Sequence, residues 1–130
     1  MTARTLPKLD PRFIYLADTV ASTIMGLALV VGAEPLTRLA GWNMPSSFLS
    51  IVGLLLLPWA AFNFWVARRT GPILVRSNIA GDALWVLGTG WLVSANMASL
   101  SQAGMALLIG QGVAVAGVLA IKLAGARALA

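Results

Sequence analysis

The sequence predicts an all-α fold, an antiparallel four-helix transmembrane bundle, on the strength of three observations. Hydrophobic residues make up 59% of the 130 residues and charged residues only 10%, whereas soluble domains carry about 25% charged residues. A chain this short cannot bury so much apolar surface in a water-facing fold. Four apolar runs also stand out, each near the ~20 residues that cross ~30 Å of hydrocarbon, and short links join them, which favours antiparallel neighbours.

The four runs predict a single domain, residues 1–130, that consists of four transmembrane helices. The predicted helices span residues 13–33, 48–67, 73–95 and 105–123. The first link contains Pro35, Gly41 and Trp42 and predicts one interfacial turn, with Trp42 at the level of the lipid headgroups. The second link is a tight basic turn, and the third is polar and uncharged.

The basic residues predict the orientation of the helices. Eight fall on one side of the predicted membrane and only Arg38 falls on the other; the eight are Arg4, Lys8, Arg12, Arg68, Arg69, Arg76, Lys122 and Arg127. Because cytoplasmic loops carry an excess of Lys and Arg, we expect a multi-pass protein of the cytoplasmic (inner) membrane with both termini in the cytoplasm.

Composition narrows the possible functions. The net charge of +5 reflects a scarcity of acids, of which there are four, and basic residues at helix ends predict contact with anionic membrane lipid rather than with nucleic acid. The chain has no Cys and no His, which removes the usual ligands of zinc, haem and iron–sulfur clusters. No catalytic template fits, so we expect no catalytic residue, no metal site, no cofactor and no enzymatic activity.

Acids and amides inside the predicted helices are the candidate functional residues. A charged side chain at the bilayer centre costs ~2.5–3.5 kcal/mol on insertion scales, so intramembrane acids usually face an interior or a cavity. With a rise of about 1.5 Å per residue, Asp18, Asn63, Asn78 and Asp82 all fall in the cytoplasmic half. They predict a polar ligand or proton site that opens toward the cytoplasm. The protonation state of Asp82 stays open at this point.

Two further residues complete the candidate site. Trp85 continues the stripe of Asn78 and Asp82 on the third predicted helix, as expected at spacings of four and seven residues. Arg76 lies at the rim, where it is placed to pair with Asp18 or Asp82. The alternative is structural, because polar side chains also bond across helices in ordinary membrane bundles, for about 0.6 kcal/mol each.

Small residues form a stripe on the fourth predicted helix. Its members are Ala103, Ala106, Gly110, Ala114 and Gly117. Such stripes let helix backbones approach closely. Packing within the chain and homodimerisation through this helix are both consistent with the pattern.

Loose motifs resemble those of a known group of proteins. The patterns Asn78-x6-Trp85-Val86-Leu87, Gly104-x6-Gln111-x2-Ala114 and Pro35-x5-Gly41 resemble small, uncharacterised four-helix bacterial membrane proteins. The resemblance covers most of the chain. It implies a four-helix bundle and no activity, so it assigns no role to any residue.

A second resemblance concerns mechanism. The run Phe13-Ile14-Tyr15-Leu16, the acid Asp18 and the aromatic Trp85 are similar to features of small multidrug resistance transporters, which also have four helices. Those proteins carry a membrane Glu, whereas Asp18 is an Asp nearer the cytoplasmic end. The resemblance implies proton-coupled export by a dimer.

Two functional hypotheses follow from these observations. The leading one is a non-enzymatic membrane protein that binds a partner protein, a lipid or a small apolar ligand in or beside the bundle, as a homodimer or within a larger membrane complex. The alternative is a small proton-coupled transporter that works as a dimer.

Overall fold

The architecture comes from a computed structural model, which describes residues 10–129. This part of the chain contains five α-helices and no strand. They are α1 (Phe13–Val31), α2 (Ala33–Ala40), α3 (Ser46–Arg69), α4 (Pro72–Asn96) and α5 (Gln102–Leu129).

The predicted count of four helices is wrong, because the first link contains a helix of its own. This helix, α2, has eight residues. Glu34 lies in its first turn and Arg38 in its last, as the helix dipole favours. Gly41 ends it with a φ of 69°, a left-handed conformation that glycine adopts without steric strain. Such a short, charged segment gives no apolar run, and the sequence therefore predicted only a turn.

Three helices within residues 10–129 are long and apolar enough to cross a membrane, namely α1, α3 and α5. Their length and composition mark the chain as a membrane protein. The fourth predicted span does not qualify: α4 has 25 residues but is less apolar than the other three. Its first half carries Arg76, Asn78 and Asp82, and this polar content lowers its hydropathy.

The long helices pack as two pairs. In the first pair α1 crosses α3 at two glycines: a Cβ atom on Gly26 would lie 2.8 Å from the Gly53 carbonyl oxygen, and one on Gly53 would lie 2.6 Å from the Gly26 oxygen. In the second pair, α4 packs on α5 where a Cβ on Gly112 would lie 2.9 Å from the Thr89 methyl group. Contacts between the two pairs are sparser. The shape of the interior therefore depends on the few residues that join the pairs.

One end of the molecule contains the turn between α3 and α4, and we call it the turn end. Here an apolar plug closes the interior. The plug consists of Tyr15, Val66, Ala67, Val75 and Leu129, all buried. The Gly71 N–H donates to the Leu129 carbonyl oxygen at 2.8 Å, so the end of α5 is tied to the turn itself.

The opposite end is bridged by α2, and we call it the α2 end. The Ser101 N–H donates to the Ala40 carbonyl oxygen at 2.8 Å, and the Ser101 hydroxyl donates to the Leu39 oxygen at 2.6 Å. A Cβ on Gly104 would lie 2.7 Å from the Ala40 Cα. The start of α5 is therefore held directly against the end of α2.

The small-residue stripe of α5 faces outward. All five of its members are exposed, and a Cβ added at Gly110 or Gly117 would meet nothing within 4 Å. Packing within the chain is therefore the wrong interpretation of this stripe. Homodimerisation stays a prediction.

Candidate functional site

A buried ionic cluster lies between the two helix pairs, centred on Lys122. Its Nζ atom contacts four oxygen atoms within hydrogen-bonding distance. These are Asp18 Oδ2 at 2.7 Å, Asn63 Oδ1 at 3.0 Å, Asn78 Oδ1 at 2.6 Å and Asp82 Oδ2 at 2.6 Å. The four residues and Lys122 are called the ionic cluster below.

Each of the four long helices contributes to the ionic cluster. Asp18 comes from α1, Asn63 from α3, Asn78 and Asp82 from α4, and Lys122 from α5. Every member lies between five and ten residues from the terminus of its helix at the turn end, which is about 8–15 Å at the helical rise. The cluster therefore occupies one layer across both pairs, below the apolar plug.

Burial makes this layer energetically demanding. The Lys122 side chain is 0% exposed, and the Asp82 and Asp18 side chains are 5% and 13% exposed. Charges in such surroundings lose their hydration, and a buried ion that loses its partner typically costs 3–5 kcal/mol. The ion pairs join α1, α4 and α5, so they link the two helix pairs at a point that water hardly reaches.

A shell of amide and hydroxyl groups orients the oxygens around Lys122. The Asn78 side-chain N–H donates to Asn63 Oδ1 at 3.1 Å, and the Asn63 side-chain N–H donates to the Trp59 carbonyl oxygen at 3.0 Å. The Ser22 hydroxyl donates to Asp18 Oδ1 at 2.9 Å. Both amides therefore turn their oxygens toward the ammonium because their N–H groups are already bonded.

Two aromatic rings complete the surroundings of the ammonium. Lys122 Nζ lies 5.0 Å from the ring centroid of Tyr15 and 5.8 Å from that of Trp59, within the range of a cation–π interaction. Trp59 also packs directly on the backbone of Gly81, where a Cβ atom would collide with the indole ring. Tyr15 belongs to the apolar plug, and Trp59 connects the cluster to Gly81 of α4.

The structure brings together four of the six residues that the sequence singled out: Asp18, Asn63, Asn78 and Asp82. The expected opening toward the turn end is wrong, because the apolar plug fills that position. Arg76 is exposed, and within residues 10–129 the cation that pairs with Asp18 and Asp82 is Lys122.

Trp85 belongs to a different polar contact, deeper in the second helix pair. Its indole N–H donates to Gln111 Oε1 at 2.7 Å, and the Gln111 amide donates to Thr89 Oγ1 at 3.0 Å. The same amide also donates to the Leu108 carbonyl oxygen at 2.9 Å. These bonds tie α4 to α5, so Trp85 connects these two helices and is not part of the ionic cluster.

Lys122 is the functional residue that the sequence interpretation missed. The sequence places it among the interfacial cations because the predicted helix ends at residue 123, whereas α5 continues to Leu129. A usable signal was present: Lys122 is flanked by Ile121 and Leu123 within an apolar stretch, and two intramembrane acids require a compensating cation.

An apolar cleft of about 830 Å³ opens between the helix pairs, and Gly81 is part of its wall. It extends from Gly81 toward the α2 end, and both pairs and α2 contribute to its walls. Residues that line it include Met25, Leu36, Leu84, Gly88, Trp91 and Leu107. Three polar residues of its wall, Trp85, Thr89 and Gln111, are bonded to one another. The Trp42 indole N–H, which also belongs to the wall, has no partner among the described residues, so the cleft presents a mainly apolar surface.

The fold and the site together define a small membrane protein with a buried ionic cluster beside an apolar cleft. Within residues 10–129 no group of three acidic side chains is placed to hold a metal ion. Comparison of the chain with known protein families, with curated proteins and with solved structures found no match. The two resemblances drawn from its motifs therefore stay predictions.

Proposed function

We propose that this protein is a non-enzymatic membrane protein that binds a membrane lipid, with an acyl chain of the lipid in the apolar cleft. The cleft carries the proposal. Its volume of about 830 Å³ lies within the 300–1,000 Å³ that is usual for ligand sites. The ionic cluster serves this site by holding the two helix pairs together at one end while they separate at the other.

The chemistry of the cleft favours an acyl chain over a polar ligand. A polar ligand needs a few donors or acceptors that are free to orient it. Among the described residues of the wall, Trp85, Thr89 and Gln111 are already bonded to one another, and the Trp42 indole N–H is a single free donor. The lining residues Leu84, Trp91 and Leu107 are also exposed on the outer surface. In a bilayer that surface faces acyl chains, which therefore have direct access to the cleft.

Two glycines of α4 allow a matched test of this proposal. Gly88 and Gly90 are both exposed, and a Cβ atom at either would meet nothing within 4 Å. Gly88 lines the cleft and Gly90 does not. Phenylalanine at position 88 therefore fills the cleft without disturbing the helix packing, and phenylalanine at position 90 points elsewhere.

The measurement uses the full chain in nanodiscs that contain a phospholipid with a photoreactive group on its acyl chain. After illumination, mass spectrometry locates the labelled residues. We expect labelling of cleft residues in the parent and in Gly90→Phe, and its loss in Gly88→Phe. Equal labelling of the cleft in all three proteins, or none in the parent, would contradict the proposal. A protein that co-purifies in place of lipid would instead favour a partner helix from a larger membrane complex.

We also propose the inner membrane as the location, with both termini in the cytoplasm. Five exposed arginines of the described residues lie at the turn end: Arg12, Arg68, Arg69, Arg76 and Arg127. Arg38 lies at the α2 end. Lys122 no longer supports the orientation because it is buried, and Arg4 and Lys8 lie outside the described residues. Reporter fusions at both termini should report cytoplasm, and a tag near Ser99 should report the opposite side.

A second candidate function, proton-coupled transport by a dimer, is favoured by the position of Trp59. Its ring contacts Gly81, a residue of the cleft wall, and lies 5.8 Å from Lys122 Nζ. A ligand that displaces this ring would reach the charges directly. The members of the α5 stripe that do not line the cleft, Ala103, Ala114 and Gly117, are exposed and offer a face for a second copy.

Transport and dimerisation are tested separately. Proteoliposomes with a pH gradient should accumulate a lipophilic cation if the protein is an exporter, and Asp82→Asn should abolish that accumulation. For the dimer, Gly117→Leu should reduce crosslinking, whereas Gly90→Leu on α4 should not, since both glycines are exposed but only Gly117 belongs to the stripe. Identical crosslinking in both variants and the parent would contradict dimerisation through the α5 stripe.

A further inference from the structure

The charges of the ionic cluster do not balance. Two carboxylates, Asp18 and Asp82, share the single ammonium of Lys122, so full ionisation leaves one negative charge in a layer that is almost inaccessible to water. An uncompensated charge in low-dielectric surroundings is expensive, and buried groups usually avoid it by changing their protonation state. The imbalance therefore requires one more positive charge at this position.

No other group of the described chain supplies that charge. The groups that face the ammonium are Asp18 and Tyr15 from α1, Asn63 and Trp59 from α3, Asp82 and Asn78 from α4, and Lys122 itself on α5. Arg76 and Arg127, the nearest cations along α4 and α5, are both exposed, and in residues 10–129 neither forms an ion pair with the cluster. A metal ion has no room, because the ammonium occupies the centre of the four oxygens.

The hydrogen bonds distinguish the two carboxylates. An ammonium has three N–H donors, yet four oxygens lie within 3.0 Å of Lys122 Nζ, so the four compete for three protons. Asp18 has a second donor of its own, the Ser22 hydroxyl at 2.9 Å. Within residues 10–129, Asp82 is bonded only to the shared ammonium, and it is the more buried of the two. A negative charge on Asp82 is therefore less well stabilised by hydrogen bonds than one on Asp18.

We infer that the ionic cluster is a proton-binding site, in which one proton is held on Asp82 at neutral pH while Asp18 and Lys122 stay ionised. The proton brings the total charge of the layer to zero. Loss of this proton leaves one negative charge in the layer, and the cluster then binds a proton again. This inference does not depend on the lipid proposed for the cleft, because no residue of the ionic cluster lines the cleft.

Infrared spectroscopy of the full chain in detergent at neutral pH tests the inference, because the carbonyl stretch of a protonated carboxylic acid is distinct and shifts in heavy water. We expect this band in the parent. It should disappear in Asp82→Asn, which removes the group, and in Asp18→Asn, where Asp82 and Lys122 balance without a proton. It should persist in Asp10→Asn, since Asp10 is exposed and outside the cluster. Absence of the band in the parent, or its persistence in Asp82→Asn, would overturn the inference.

A second measurement needs no variant and so does not depend on the variants folding. The parent chain is unfolded at neutral pH in a weakly buffered solution, and the protons released are counted with a pH indicator. We expect about one proton per chain, because a carboxyl group exposed to water at neutral pH is ionised. No release on unfolding would show that both carboxylates are already ionised in the folded protein.

Discussion

The two ends of this molecule hold their helices together in different ways. At the turn end, charged and amide side chains from four helices converge on Lys122, and the apolar plug covers them. At the α2 end the two helix pairs stand apart around the cleft, and Ser101 and Gly104 on the α5 side meet Leu39 and Ala40 of α2. The first end is dense and ionic; the second is open and apolar.

The two ends therefore have different roles: one determines which helices meet, and the other leaves space for a ligand. A bilayer provides little hydrophobic drive for one helix to choose another, because lipid tails are as apolar as the helices themselves. A buried ion cluster has few alternative partners in the chain, so it fixes which helices meet and at what register. At the α2 end the short helix α2 joins the first pair to the start of α5, so the long helices can stand apart and leave space for a ligand.

The largest expected effect comes from removing the centre of the ionic cluster. Lys122→Met leaves the buried acids Asp18 and Asp82 without their cation, and we expect a loss of about 3–5 kcal/mol in the free energy of unfolding. Denaturation in mild detergent, followed by circular dichroism, measures it. Arg127→Met is the matched control, because Arg127 is an exposed cation on the same helix. Equal stability of the two variants would show that the cluster does not hold the helix pairs together.

The next effect concerns the bridge at the α2 end. Gly104→Val places a Cβ atom 2.7 Å from the Ala40 Cα and 2.8 Å from its carbonyl oxygen, so α5 must move away from α2. We expect a loss of about 1–3 kcal/mol, the usual result of overpacking, and a wider separation of spin labels on α2 and α5. Gly117→Val has open space and should leave the distance unchanged. An unchanged distance in Gly104→Val would mean that α2 does not close the cleft.

A smaller effect is expected at the same bridge from a single hydroxyl. Ser101→Ala removes the bond to the Leu39 oxygen and the acceptor that the hydroxyl offers to the Gly104 N–H. We expect a loss of about 1 kcal/mol, measured by the same denaturation. Ser94→Ala is the control, because among the described residues the Ser94 hydroxyl bonds only to a carbonyl oxygen of its own helix. A larger loss in Ser94→Ala than in Ser101→Ala would contradict the assigned role of the bridge.

The smallest effect concerns the exposed ion pair of Asp10 and Arg12, which precedes α1. Hydrogen bonds from the Arg12 side chain and backbone hold the pKa of the Asp10 carboxyl below its ordinary value. Because the pKa is lower in the folded protein, the associated stability is present above the unfolded pKa and is lost as pH falls through the folded pKa. The pair is exposed and its contribution should be small.

Carbon-detected NMR of the Asp10 carboxyl group measures this pKa directly. In Arg12→Ala the pKa should return toward its ordinary value, whereas Arg127→Ala should leave it unchanged. A pKa of Asp10 that is the same in both variants would show that Arg12 is not the cause of the shift.

Particular residues show how far the sequence predicted the site. The positions of Asp18, Asn63, Asn78 and Asp82 in one layer followed from the helical rise and the antiparallel order of the helices, both of which depend on local geometry. The same reasoning failed for Lys122, because a cation near the end of an apolar run fits the membrane interface equally well. Only the length of α5 and the convergence of four helices distinguish the two positions.

The sequence by itself determined that the chain is helical and resides in a membrane, because apolar content and the length of apolar runs are local properties. The tertiary structure decided the rest. It added α2, whose eight residues form a helix between α1 and α3 although they contain no apolar run. It turned the small-residue stripe of α5 outward, brought Lys122 to the two aspartates, and separated the helix pairs around the cleft. These features depend on which helix faces meet, and contacts between residues more than 40 positions apart, such as Lys122 and Asp18, leave no periodic signal in the sequence.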